Sequence, residues 1–295
     1  MNSQLPSPQA ASGAIPPRGT GAPLHRRRPW ILTLCLLLVA VLFAYPFAWM
    51  LAGWFKSNRE LMMPTRFWPS TLDWSAFRRL VGGEWFPFGR VWFNSLWVAF
   101  WQAAGAVALS SLAGYVFARH TFRGRHLLFM LSVTVIVIPA QAMAIPLFSW
   151  INGLGLTNHL AGVVLPGMVS GLGIIYFTQA FRHVPTSLVD AARVEGANEW
   201  RVYLSLLPLV RPAMVSFGLI HFILAWHQHL IPLLVLSEAR QQTLPLALSS
   251  LYGSSLRYPY AALMVGSTFA VIPTAILFAL LYRRLQTSLS RLLPH

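Results

Sequence analysis

The stretch VWFNSLWVAFWQAAGAVALSSLAGYVFA (91–118) contains no Asp, Glu, Lys or Arg. It exceeds the roughly 20 mainly apolar residues that carry a helix through the hydrocarbon core of a bilayer. Five further windows meet the same test: Trp30–Phe55, Leu127–Trp150, Ala161–Phe181, Pro212–Ser237 and Tyr258–Tyr282. Barrel strands would instead show segments of about 10 residues with apolar and polar side chains alternating. The whole chain agrees with this reading. Hydrophobic residues make up 56%, charged residues 10%, and the mean hydropathy is +0.58. A soluble domain carries about 25% charged residues, so lipid is the expected solvent. The expected fold is all-α: a polytopic membrane protein with six transmembrane helices.

The first window is about twice the length of a secretory signal core and is followed by five more, so it is read as a span. Its Cys35 is the only cysteine, which excludes a disulfide framework or a cysteine metal site within the chain. A formal charge of +15 suggests nucleic acid, but the arginines sit at the span ends, as in HRRRPW (25–30), ARHTFRGRH (118–126) and YRRLQ (282–286). Lys and Arg number fourteen on the side holding both termini and eight on the other. An excess of these residues marks the cytoplasmic side, so both termini are expected inside.

Residues 1–28 read as a disordered cytoplasmic tail, 29–285 as one membrane domain and 286–295 as a cytoplasmic C-terminal tail. The segment 56–90 reads as an interfacial outer cap, with MMPTRFWPSTLDW (62–74) at its centre. Pro46, Pro139, Pro146, Pro166, Pro232 and Pro273 fall inside spans. They fit either tolerated kinks or bent helices around an aqueous cavity.

Between the fourth and fifth spans (182–211) lies VDAARVEGANEW (189–200), which holds three of the chain's seven acids: Asp190, Glu195 and Glu199. Pro185 suits a first helical turn, and TSLVDAARV (186–194) reads as a short helix. Gly196 is placed to turn the chain through a left-handed conformation. Asn198 is placed to cap a second helix, in which Trp200, Tyr203, Leu204 and Leu207 recur at helical spacing. Pro208 and Pro212 are expected to re-aim the chain into the fifth span. A loop adhering to anionic lipid would carry mostly basic residues. The balance of acids against Arg193 and Arg201 instead points to a protein partner.

This segment resembles the "EAA" loop of binding-protein-dependent ABC importers. Asp190-Ala191-Ala192 stands for Glu-Ala-Ala, Gly196 falls at the family spacing, and LLPL (206–209) supplies Pro208. FKSNREL (55–61), NSL (94–96), FARHTFRGRHLL (117–128), IPLF (145–148), GLGLTNHLAGVVLP (153–166), VPTSLVDAARVEGA (184–197), PLLVLS (232–237) and TLPLALSSLYG (243–253) extend the match. Over roughly 29–285 the chain is similar to carbohydrate-importer permeases of the maltose-type G class. It departs from them at AWHQH (225–229), where the family often has Trp-Asn-Asp or Trp-Asn-Glu. TSLSRLLPH (287–295) replaces the usual glycine-rich tail.

The resemblance implies a heterodimer with a second permease, two ATP-binding subunits and an extracytoplasmic solute-binding protein, in the inner membrane of a prokaryote. ATP and Mg would sit on the partner ATPases. This chain has no phosphate-binding Gly-Lys-Ser/Thr loop, and its single lysine, Lys56, is on the expected outer side. Asp190, Ala191, Ala192, Glu195, Gly196, Ala197 and Pro208 are the implied ATPase-coupling residues. Candidates for a substrate pathway are Trp226, His227, Gln228, His229 and Asn94. An indole face stacks on a sugar ring, and amides serve hydroxyl groups. Hydrogen bonding between spans is the competing reading, and is preferred for His221. No carboxylate or cysteine accompanies these histidines as a metal ligand, and no H-E-x-x-H or similar constellation supports an intramembrane enzyme. Import of a sugar or oligosaccharide is the expected function; import of glycerol-3-phosphate or a related phosphodiester is the alternative, and a structural scaffold is the remaining class.

Overall fold

Where prolines fall decides which apolar runs fold as one helix. The computed structural model describes residues 29–63, 66–252 and 259–290, and helices dominate them. The tail expected over 1–28 lies outside the described residues, as do 291–295. The chain divides into two compact units, Met1–Phe47 and Ala48–His295. The described part of the first belongs to α1 (Pro29–Ala52), which passes Pro46 unbroken and is exposed at every residue from Trp30 to Phe47. A helix that is apolar on all sides and exposed on all sides suits lipid as its surroundings.

In the second unit, a 3₁₀ turn (Gly53–Phe55) leads to the short helices α2 (Asn58–Leu61) and α3 (Ser75–Val81). The long α4 (Phe88–Arg119) follows, then α5 (Arg125–Val137), α6 (Ala144–Gly153), α7 (Leu160–Gly167) and α8 (Gly171–Arg182). After these come α9 (Thr186–Val194), α10 (Glu199–Trp226), α11 (Leu230–Val235), α12 (Leu244–Ser250) and α13 (Tyr260–Ser290). The last helix runs into the stretch expected to be a tail from 286 onward.

Among the described residues, four helices are long and apolar enough to cross a bilayer: Trp30–Phe55, Phe88–Arg119, Glu199–Trp226 and Tyr260–Leu280. Helices α7 and α8 pass that test together across a bend of 44°. The expected span Leu127–Trp150 is broken in two. Ile138 stands extended at φ −72°, ψ 120°, the conformation that a following proline imposes. At 1.5 Å per residue, the 13 residues of α5 reach only about 20 Å, short of a full crossing. The fifth window is corrected as well. α10 ends at Trp226, and His227–His229 form a break before α11.

Pro208 and Pro212 do not redirect the chain; α10 runs through both. They and Leu204 lie on its exposed face. The hydrogen bonds lost to the two rings therefore fall on the exposed side of the helix.

α4 is the spine of this unit and packs on α7, α8 and α10. It meets α8 closely. A Cβ on Gly114 would stand 2.5 Å from Phe177 Cβ and 2.8 Å from the Thr178 backbone nitrogen. Across the same seam, a Cβ on Gly173 would meet Ser110 Oγ at 2.4 Å. Small residues that let helix backbones approach are the usual means of helix association in lipid. Around one end of α4, Leu80, Phe88, Val91, Trp226, Leu244 and Val265 share a core. Around the other, Tyr115, Phe177, Phe181, Val189, Val202 and Tyr203 share a second.

Candidate functional site

The helix–turn–helix at 186–226 forms as its sequence dictates. Pro185 stands at the N-cap of α9. Gly196 has φ +82°, and the pairs Ala197 N–Ala192 O and Gly196 N–Arg193 O, both 3.0 Å, close the helix as a Schellman turn. Asn198 Oδ1 then accepts from Arg201 N at 2.9 Å and caps α10.

One side of α9 is anchored. Val189 is 3% exposed and packs in the core with Val184, Val202 and Tyr203. Ala192 and Ala197 pack partly against that core. Of the implied coupling residues, these two line the inner side of the turn. The outward face carries Leu188, Asp190, Ala191, Val194, Glu195 and Gly196, with Val194 88% exposed. Trp200 and Leu204 continue it on α10, and Pro208 is exposed beyond them. A rigidly held apolar ridge edged by acids is suited to docking on a protein.

Glu199 differs from the other two acids. Its Oε1 accepts from Arg193 Nε at 3.0 Å, its Oε2 accepts from the Tyr115 hydroxyl at 2.8 Å, and His120 Nε2 stands 3.2 Å from Oε2. The bond to Glu199 raises the Arg193 pKa above its ordinary value. Nearby, Ser111 Oγ and Tyr203 Oη are 2.8 Å apart, and Arg119 Nη2 donates to the carbonyls of Phe181 and Val184. Sequence reasoning missed Tyr115, Arg119 and His120. The available signal was a cluster of polar residues at the end of an apolar span.

The pathway candidates separate into two groups. Trp226 is 1% exposed, donates from Nε1 to Ala270 O at 2.8 Å and lies edge-on to Trp92. Asn94 is buried and donates to Arg240 O (2.9 Å) and Gln242 O (3.0 Å). Both are committed to contacts inside the chain, so neither presents a face to a substrate in this conformation. His227, Gln228 and His229 occupy the break after α10. His227 is exposed, with Nε2 3.1 Å from Thr274 Oγ1, and His229 stands at the N-cap of α11. Gln228 Oε1 accepts from Gln102 Nε2 at 3.0 Å, and Gln102 also donates to Val163 O at 2.7 Å. His221 Nε2 lies 2.8 Å from Gly167 O. A carbonyl only accepts, so this nitrogen carries the proton. Gln102 and His221 thus satisfy carbonyls of α7 beside the bent span, as buried polar side chains in a membrane must. Among the described residues no three His, Cys, Asp or Glu side chains converge as metal ligands.

The comparisons with known proteins bear on this architecture. Residues 106–291 match the model of the binding-protein-dependent transport system inner membrane component. The arabinooligosaccharides transport system permease protein AraQ of Halalkalibacterium halodurans is 30% identical, over 86% of this chain and 92% of its own. The lactose transport system permease protein LacG of Rhizobium radiobacter is 31% identical, over 88% and 95%. The sn-glycerol-3-phosphate transport system permease protein UgpE of Agrobacterium fabrum is 30% identical, over 85% and 92%. In fold, the chain is similar to a chain in the crystal structure of a bacterial ABC transporter involved in the import of the acidic polysaccharide alginate. The TM-score is 0.76 at 18% identity, covering 89% of this chain and 99% of that one. The chain belongs to the family of binding-protein-dependent transport system inner membrane components, and is a multi-pass membrane permease subunit of an ABC importer, not an enzyme.

Proposed function

We propose that the chain forms half of a pathway that imports a saccharide, with a second permease as the other half. Membership of the family implies a partner ATPase and a solute-binding protein. In this reading two ATP-binding subunits carry ATP and Mg, both termini are cytoplasmic, and α9 with the start of α10 seats in a cleft of one ATPase. The chain's own lysine is unsuited to phosphate. Lys56 is buried beneath Arg66 O, 4.0 Å from the Trp49 ring centroid, and burial lowers its pKa. ATP binding would close the ATPase pair, and the docked helices would carry that movement into the spans as a rigid body. The observation that carries the reading is α9 itself, a short helix pinned inward by Val189 and presenting Leu188, Ala191, Val194 and Glu195 outward.

A saccharide is preferred over glycerol-3-phosphate on two grounds. The relatives named for arabinooligosaccharides and lactose match as well as the glycerol-3-phosphate permease or better. The break at His227–His229 also offers imidazoles and an amide with no Lys or Arg beside them in sequence, where a phosphoryl group would call for a guanidinium or ammonium. Mass spectrometry of the ligand released from the partner binding protein tests this. A neutral saccharide is the expected result, and a phosphate ester would overturn it.

A further inference from the structure

Glu199 is the acid at the bend that the chain turns inward. Its carboxylate, at the first residue of α10, meets Arg193 from the last turn of α9, Tyr115 from α4, and His120 at the end of α4. Tyr115 is buried, but the charged and imidazole side chains of this cluster are about a third to half exposed: 50% for Glu199, 39% for Arg193 and 31% for His120. Ion pairs so exposed contribute only about 0–1 kcal/mol, so the cluster is a poor candidate for a source of stability.

Its geometry is more specific. Ser111, Tyr115 and Arg119 follow one another at four-residue spacing and form one stripe on α4. That stripe takes hold of Tyr203 on α10, of Glu199, and of the carbonyls of Phe181 and Val184 that lead from α8 into α9. Farther along the same helix, Gln102 holds Val163 O and Gln228 beside the bent span. At its other end, Asn94 and Ser95 hold the backbone of Arg240, Gln242 and Leu244. A single helix of 32 residues therefore touches the outward-facing α9 module at one end and the break after α10 in its middle.

We propose that Glu199 is a positioning residue for energy coupling: by joining Arg193 of α9 to Tyr115 of α4, it makes α9, the start of α10 and α4 move as one body. The inference rests on the reading of α9 as the ATPase contact. Without Glu199, α9 keeps its hydrophobic anchor at Val189 and the Arg119 bonds ahead of its start, but loses the polar tie from its last turn to α4.

The test uses the assembled importer in nanodiscs, with Cys35→Ser as background and spin labels at Thr186→Cys on α9 and Arg123→Cys just beyond α4. Mg-ATP with vanadate is the probe. With Glu199 in place, the distance between labels is expected to stay the same in both states. In Glu199→Ala it should change by about 2 Å or more when the probe is added, the scale of helix movements in switching transitions. Tyr115→Phe should act in the same direction. Glu199→Gln keeps one oxygen as acceptor for Arg193 and turns its amide N–H toward the Tyr115 hydroxyl, which can accept, so it should restore the fixed distance. An unchanged distance in Glu199→Ala, with the ATPase still cross-linking to Ala191→Cys, would overturn this inference alone. Absence of that cross-link in the otherwise unsubstituted importer would overturn the coupling reading, and the inference with it. Loss of assembly in Glu199→Ala would show a structural role and also overturn it.

Discussion

Gly196 adopts φ +82°, and a Cβ built there would meet nothing within 4 Å. Within the chain, a side chain at this position therefore costs only backbone strain, about 1–2 kcal/mol, and less for Asp, which tolerates the left-handed region. A larger loss of function has to come from a partner surface. Gly196→Asp is expected to leave membrane insertion and thermal stability close to wild type while ATP-driven uptake falls about tenfold or more, equivalent to about 1.4 kcal/mol at the contact. Uptake and thermal melting of the same preparation check this, and normal uptake would place Gly196 away from any partner. Gly196 and Asn198 were legible in the sequence because turns and caps obey local backbone rules. Trp226 and Asn94 were not. Trp226 is covered by α4 and α13, and Asn94 by the backbone at Arg240 and Gln242, contacts between segments far apart in sequence that no local pattern records.

Among the elements, the unbroken helices α4 and α13 follow from charge-free runs, and the break at Ile138 follows from Pro139. The same rule overstated the effect of Pro208 and Pro212, since an exposed helix face tolerates lost hydrogen bonds. The tight seam between α4 and α8 went unread, because Gly114 meets Phe177 and Gly173 meets Ser110 across distant parts of the sequence, and neither glycine sits in a turn. Gly114→Val would drive its methyl groups into the backbone at Phe177 and Thr178. Overpacking of this kind costs about 1–3 kcal/mol, and here it separates two helices that both contribute to the α9 end of the core. Lower thermal stability of the assembled importer is expected, together with weaker retention of the ATPase, because Phe181 and Val184 at the end of α8 lead into α9. A melting curve and a pull-down on one sample measure both, and an unchanged melting temperature would show that the seam yields freely.

At the scale of the whole molecule, the all-helical permease fold was legible from composition, whereas the count of unbroken spans was not. Apolar length alone does not tell a continuous helix from two halves joined by irregular backbone. The proposed orientation, with both termini cytoplasmic, rests on the fourteen-to-eight distribution of Lys and Arg. Reporter fusions after Ser70 are expected to report the outside and those after Asn198 the inside. The reverse pattern would put α9 on the wrong face for a cytoplasmic ATPase.

The outward face of α9 is the proposed contact through which ATP drives this permease. The most direct measurement places a photo-activated cross-linker at Ala191, which faces outward between Leu188 and Val194, and at Ala192, which turns toward the core, in the assembled importer. A strong adduct from Ala191 to an ATP-binding subunit and a weak one from Ala192 are expected. An importer that assembles and transports without an Ala191 adduct, or with adducts only to lipid, would contradict it.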